Sequence, residues 1–181
     1  MTKRHLWNGA SVGMSVKEVM SLFPSAVRLS NSNSDDIERL YDGSKGLLVL
    51  DYVNLVGYDG FTAKFFFSNW LMRLGSILPS SFGILLILIG ERFAVLKQVN
   101  ISFSEWRDED PVEEIRKDCL PLLIENLNGK HGAPVEKDII EGMSFDLVYQ
   151  DGETKISLGV AGVGGSAVNR FFFGLSMQSR L

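Results

Sequence analysis

Nucleophilic or metal chemistry in this chain has to draw on one cysteine, two histidines and a few acidic and glycine-rich clusters. Cys119 falls on the apolar positions of a helical pattern, Val112, Ile115, Cys119, Leu122, Leu123 and Leu127. A free thiol in such a stripe serves as a small buried hydrophobe rather than as a nucleophile. A catalytic metal site needs about three clustered ligands, whereas His5 and His131 stand far apart and neither has a ligand pair beside it. His131 follows a helical pattern at its C-terminal end, where a positive charge interacts well with the helix dipole. The acidic cluster Asp108-Glu109-Asp110, with Glu113 and Glu114, stands where a helix begins, and the same dipole explains it. Gly159-Val-Ala-Gly-Val-Gly-Gly165 is glycine-rich, but Arg170-Phe-Phe-Phe173 after it is strand-like. A dinucleotide loop must instead open a helix, so a hairpin loop is expected. Gly129-Lys130 lacks the following Ser or Thr and the earlier glycine of a phosphate-binding loop. No catalytic residue, metal ligand or cofactor site is assigned, and the expectation is a protein that is not an enzyme and carries no cofactor.

The chain has 181 residues, 45% hydrophobic and 22% charged, enough to bury a proper core. Its formal net charge of −4 and isoelectric point near 5.2 argue against a protein that tracks phosphate backbones, so no nucleic-acid partner is expected. With a single cysteine no intrachain disulfide can form, which suits a reducing compartment. The basic start, Met-Thr-Lys-Arg-His, has no apolar segment behind it, so the expected location is cytoplasmic. Trp70–Gly90 carries one charge, Arg73, and ends in the apolar run Phe82–Ile89. The run is far shorter than the ~20 residues of a membrane span. A buried strand or a sticky edge is expected there, packed within the protein or meeting a second copy as a homodimer through 82–89.

The elements that would position these residues follow a repeated plan. Ser15-Val-Lys-Glu18 is a capping box, with Met14 and Val19 at the two staple positions. Val16, Val19, Met20 and Phe23 make the apolar stripe, and Pro24 stops the helix. Residues 30–45 are a polar linker. Strands are expected over Leu47–Val56, Phe61–Phe67 and Phe93–Phe103, with Asp59-Gly60 as the turn between the first two. In the second strand Phe61, Ala63, Phe65 and Phe67 point one way, and Thr62, Lys64 and Phe66 the other. A second helix should start at Asp110-Pro-Val-Glu113, kink at Pro121 and end at Gly129. Strands near Met143–Tyr149, Thr154–Val160 and Arg170–Gln178 follow, with Asp151-Gly152 as their turn. Cap and turn lie 44 residues apart in the first half (Ser15 to Asp59) and 41 in the second (Asp110 to Asp151). The expected architecture is α+β: a single domain, 1–181, of two αβββ pseudo-repeats at about 10–104 and 105–181, with helices on one face of an antiparallel sheet.

Gly13-Met-Ser-Val-Lys-Glu-Val-Met-Ser-Leu-Phe-Pro24 resembles the opening helix of domains like β-lactamase inhibitor protein and of the small lipoprotein of the outer-membrane assembly machinery. Asn128-Gly-Lys-His-Gly-Ala-Pro134 resembles that superfamily's helix exit, with His131 in the aromatic position. The resemblance implies helices on one face of a curved antiparallel sheet, the other face open to partners. It carries over no functional residue, because the disulfides of the inhibitors and the lipidated cysteine of the lipoproteins are missing. The function expected is protein binding, as an inhibitor or a toxin-immunity protein, with another protein as partner. The alternatives are an envelope-associated accessory protein that uses 70–90, and an enzyme of unfamiliar type. The aromatics that alternation leaves outside, Phe66 and Phe172, with Tyr52 and Trp70, are the candidate partner-binding residues.

Overall fold

The computed structural model describes residues 5–28, 48–78, 81–103, 118–140, 144–163 and 170–179. Within them the chain is mixed α+β, with a mostly antiparallel sheet. The strands are β1 (His5–Trp7), β2 (Ala10–Ser11), β3 (Val27–Arg28), β4 (Leu48–Leu55), β5 (Tyr58–Ser68), β6 (Val95–Phe103), β7 (Glu136–Ile140), β8 (Ser144–Asp151), β9 (Thr154–Val163) and β10 (Arg170–Ser179). The helices are α1 (Val16–Leu22), α2 (Trp70–Ile77), α3 (Ser81–Glu91) and α4 (Leu120–His131). β1 and β2 form a small hairpin, and the larger sheet has the order β3-β4-β5-β6-β10-β9-β8-β7. The chain forms two compact units, Met1–Leu50 with Lys64–Val99, and Asp51–Ala63 with Asn100–Leu181, so β4, β5 and β6 each contribute to both.

In the first unit, helix α1 starts where its capping box sets it. The Ser15 hydroxyl oxygen accepts from the Glu18 amide, and the Ser15 amide donates to Glu18 Oε2 at 2.7 Å. Val19 turns inward and is fully buried. The start of α1 is tied to β6 by Gly13 N–H to Leu96 O (3.0 Å) and Leu96 N–H to Met14 O (2.7 Å). Trp7 stacks on Phe23 at 5.4 Å, and Phe23 packs on Phe65 at 5.2 Å, which joins the small hairpin, α1 and β5 in one aromatic cluster. Alternation along β5 holds as expected: Phe61, Ala63, Phe65 and Phe67 are buried, and Thr62, Lys64 and Phe66 are half-buried.

In the second unit, β8, β9 and β10 pair antiparallel, with Leu158 opposite both Leu147 and Leu175. β7 flanks β8. Leu123 and Leu127 of α4, Tyr149 and Leu158 are buried, and the Tyr149 hydroxyl donates to Asn128 Oδ1 at 3.1 Å. Phe61 meets Phe103 edge-on at 5.6 Å.

Four local expectations are corrected. The apolar run at 82–89 is helix, not strand; it forms most of α3. The first tight turn is Val56-Gly57, both at positive φ, and Asp59-Gly60 lies inside β5. Asn54 makes that turn: its Oδ1 accepts from Gly57 N–H at 3.0 Å, and its Nδ2 donates to Asp59 at 2.9 Å. Helix α4 runs through Gly129 to His131 and stops at Gly132, which takes positive φ. Gly159–Val163 is strand rather than loop: Gly159, Val160 and Ala161 pair with both β8 and β10, and Gly162 and Val163 with β10. Pro121 stands at the start of α4, directly after a π-helical step at Asp118–Cys119, and the preceding stretch of the helix expected to kink there lies outside the described residues. Asp151-Gly152 does lie at the β8–β9 turn. The linker at 30–45, the helix start at Asp110 and the acidic cluster at 108–114 lie outside the described residues.

Candidate docking surface

The groups with nucleophilic or ligand chemistry are occupied structurally. Cys119 is fully buried, its Sγ 3.9 Å from Leu55 O, and burial pushes its thiol up to about 11, so it stays protonated at neutral pH. His131 Nδ1 lies 3.1 Å from Asp151 Oδ2, and His5 Nδ1 lies 3.1 Å from Ser11 Oγ. Among the described residues no group of three or more His, Cys, Asp or Glu could hold a metal ion.

The sequence-derived partner residues fall in both units. Phe66 is a half-buried residue of β5 in the first unit. Phe172 belongs to the second, in β10 opposite Ala161. Tyr52 sits at φ +57 in the middle of β4, 84% exposed, where inward alternation slips by one residue between Leu48 and Val53. A non-glycine residue is uncommon in that region of the backbone. Beside it Asp51 accepts from Thr62 Oγ1 at 3.0 Å. Trp70, 70% exposed, opens α2.

Trp70 leads to the segment 70–90, which the sequence offered as a contact and whose form as a helical hairpin sequence reasoning missed. Asn69 caps α2, with Oδ1 accepting from Met72 N–H at 3.0 Å, and its Nδ2 donates to Gly90 O at 2.7 Å. One side chain thus fastens the start of α2 to the end of α3 and makes the two a closed hairpin. Glycines stand at its contact points. Gly75, Gly83 and Gly90 are buried. A Cβ on Gly83 would stand 2.6 Å from the carbonyl oxygens of Gly75 and Leu78, and one on Gly90 2.7 Å from Met72 Cγ. Gly83 and Gly90 are seven residues apart, two helical turns, so they face α2 together. With backbone against backbone inside, the large apolar side chains go outward. Phe82 is 61% exposed, Leu85 51% and Leu88 47%, and Leu74, Ile89 and Phe93 are exposed too. Phe82, Leu85 and Ile89 follow the helical spacing and form one outer stripe.

Beside this stripe an open cleft of about 670 Å³ is lined by Lys17, Met20, Arg28, Leu88, Arg92 and Ala94, all in the first unit. Its rim is apolar on the α3 side and cationic at Lys17 and Arg92. The signal that could have found this surface is the pair Gly83 and Gly90 at helical spacing in a run with no charge between them. No helix among the described residues is long and apolar enough to cross a membrane. No protein-family model, curated protein or solved structure matches the chain.

Proposed function

We propose that the protein is a non-catalytic binding module and that its contact element is the hairpin α2–α3. One observation carries this: Gly83 and Gly90 pack closely against α2 while Trp70, Phe82, Leu85 and Leu88 are exposed. In water, folding drives large apolar groups inward, and a contiguous exposed apolar surface marks an interaction site. A helix apolar on all sides is ordinarily covered on all sides. The buried, protonated Cys119 and the paired His131 support a non-catalytic reading.

The duplicated αβββ plan belongs to the same proposal. Its support is the element order, α1-β4-β5-β6 and then α4-β8-β9-β10, if the short strands and the hairpin count as additions. The resemblance to β-lactamase inhibitor protein, and with it a role as inhibitor or toxin-immunity protein, rests on the α1 and His131 motifs. A second reading places the contact on the sheet at Tyr52; its support is the exposure and positive φ of Tyr52.

Photo-crosslinking in the native host separates the two. A benzoyl-phenylalanine at position 82 should give an adduct, whether with protein or lipid, and one at position 52 should not. Adducts at 52 with none at 82 move the contact to the sheet and sink the hairpin reading.

A further inference from the structure

We infer that the occupant of the hairpin is the surface of an anionic lipid bilayer, on which α2 and α3 lie without crossing it; this rests on the hairpin being the contact element. Length excludes a span. The 11 residues of α3 reach roughly 16 Å, against a hydrocarbon core of ~30 Å. A short helical pair with an apolar outer face suits the boundary between headgroups and acyl chains. Its internal packing suits that place as well. Close approach through small residues holds helices together where lipid, rather than water, surrounds the large side chains. Trp70, exposed at the start of α2, is of the aromatic type that settles at the level of the headgroups, and Phe82 is of the type found on the buried apolar face of an interfacial helix.

Charge complementarity selects anionic lipid over a neutral surface or an acidic copy of the same chain. Although the whole chain is acidic, its charge is divided. The unit that contains the hairpin holds ten Lys and Arg against six Asp and Glu, net +4; the other holds eight against sixteen, net −8. The segment 64–99 alone has Lys64, Arg73, Arg92 and Lys97 against Glu91. With a screening length of about 8 Å at physiological salt, the nearby charges decide the interaction, not the net charge of the chain. Lys17 and Arg92 stand in the cleft next to Leu88, where they meet headgroup phosphates if the apolar stripe is seated in the bilayer. Glu18, the neighbour of Lys17, already has its carboxylate engaged by the Ser15 amide and hydroxyl at 2.7 Å.

The test is flotation of the purified full chain with vesicles of phosphatidylcholine alone or with added phosphatidylglycerol. Protein should float with the anionic vesicles and much less with the neutral ones, and vesicles with brominated acyl chains should quench fluorescence that Trp70→Phe removes. Leu85→Ser and Leu88→Ser each weaken binding about tenfold, since each takes one leucine out of the apolar contact. Lys17→Gln with Arg92→Gln weakens it roughly 25-fold, about fivefold per charge. All four residues are at least partly open to solvent at the cleft or the stripe, and circular dichroism should show unchanged folds.

Failure to float with anionic vesicles overturns the inference, as does flotation that Leu85→Ser with Leu88→Ser leaves intact. A dimer by light scattering that the same pair dissolves, without flotation, makes a second copy the occupant and overturns it too. If flotation fails while position 82 still crosslinks to a protein, the binding-module reading stands and only the lipid falls. If position 82 crosslinks to nothing, the hairpin reading falls first.

Discussion

Gly83→Ala is the sharpest probe of the hairpin, because two effects of known size oppose each other there. Alanine is the better helix former by about 1 kcal/mol. Against that, the new Cβ would lie 2.6 Å from two backbone carbonyl oxygens, Gly75 O and Leu78 O, where ordinary contact starts at 3.4 Å. The helices must part by roughly 0.8 Å, and neither oxygen is on a flexible side chain that could swing away. Overpacking of this kind costs ~1–3 kcal/mol, and the rigidity of both neighbours puts this case at the upper end. The net is about 2 kcal/mol of destabilisation, or roughly 30-fold in the opening equilibrium of the hairpin. Amide exchange should report it as faster exchange of Met72 N–H, which now donates to Asn69 Oδ1. Gly129→Ala is the control. It too is a helical glycine, but a Cβ there meets nothing within 4 Å, so the change should stabilise by up to ~1 kcal/mol. If Gly83→Ala leaves exchange unchanged or slows it, the two helices are not in backbone contact and the outward direction of Leu85 and Leu88 loses its cause.

Val56→Asn should stabilise the protein by about 1 kcal/mol in urea unfolding, because a β-branched residue at φ +47 is strained and asparagine tolerates that region; a loss of stability would show that Val56 packing matters more than its backbone. The Cys119 thiol is shifted from 9.0 to about 11, so the folded state favours its protonated form. The resulting stability should be complete below pH 9 and be lost as pH rises toward 11. Ellman's reagent should react at about pH 8 only after urea is added, and reaction in the native state would contradict the burial. Tyr149→Phe should cost about 1 kcal/mol through loss of the bond to Asn128 Oδ1, read from the urea midpoint, while Asn128→Ala added to Tyr149→Phe should cost little more.

What the sequence made legible was local or strictly periodic. The α1 start needs two residue types three apart, and Ser15 and Glu18 do bond as their types dictate. The β5 faces follow from seven alternating residues, long enough for period two to be unambiguous. Where chemistry pointed at a turn by composition alone, geometry chose differently. Asp59-Gly60 has the better hairpin composition, but Asn54 supplies a side-chain bond to Gly57 N–H and closes the chain three residues earlier. The pair Asn8-Gly9, both at positive φ between β1 and β2, carries a hairpin signal, but its flanking strands, three and two residues long, are too short to show alternation. β3 and β7 are likewise too short or too polar to show a period.

The helical form of the candidate surface was hidden for a different reason. An apolar run of eight residues does not distinguish a buried strand from a helix, and isoleucine in the run favoured strand. The decisive residues were the glycines at its margins. In a strand, Gly83 and Gly90 would be seven residues apart and fall on opposite faces, so they could share no partner. In a helix they fall on one side, where a neighbouring helix can approach closely only if both lack a Cβ. That requirement fixes the inner face by its small residues and sends the large ones out, the reverse of the usual sorting in water. Asn69 then closes the pair with one hydrogen bond to Gly90 O. Outward Leu85 and Leu88 are therefore a consequence of how the hairpin is held together, and among the described residues both stay exposed.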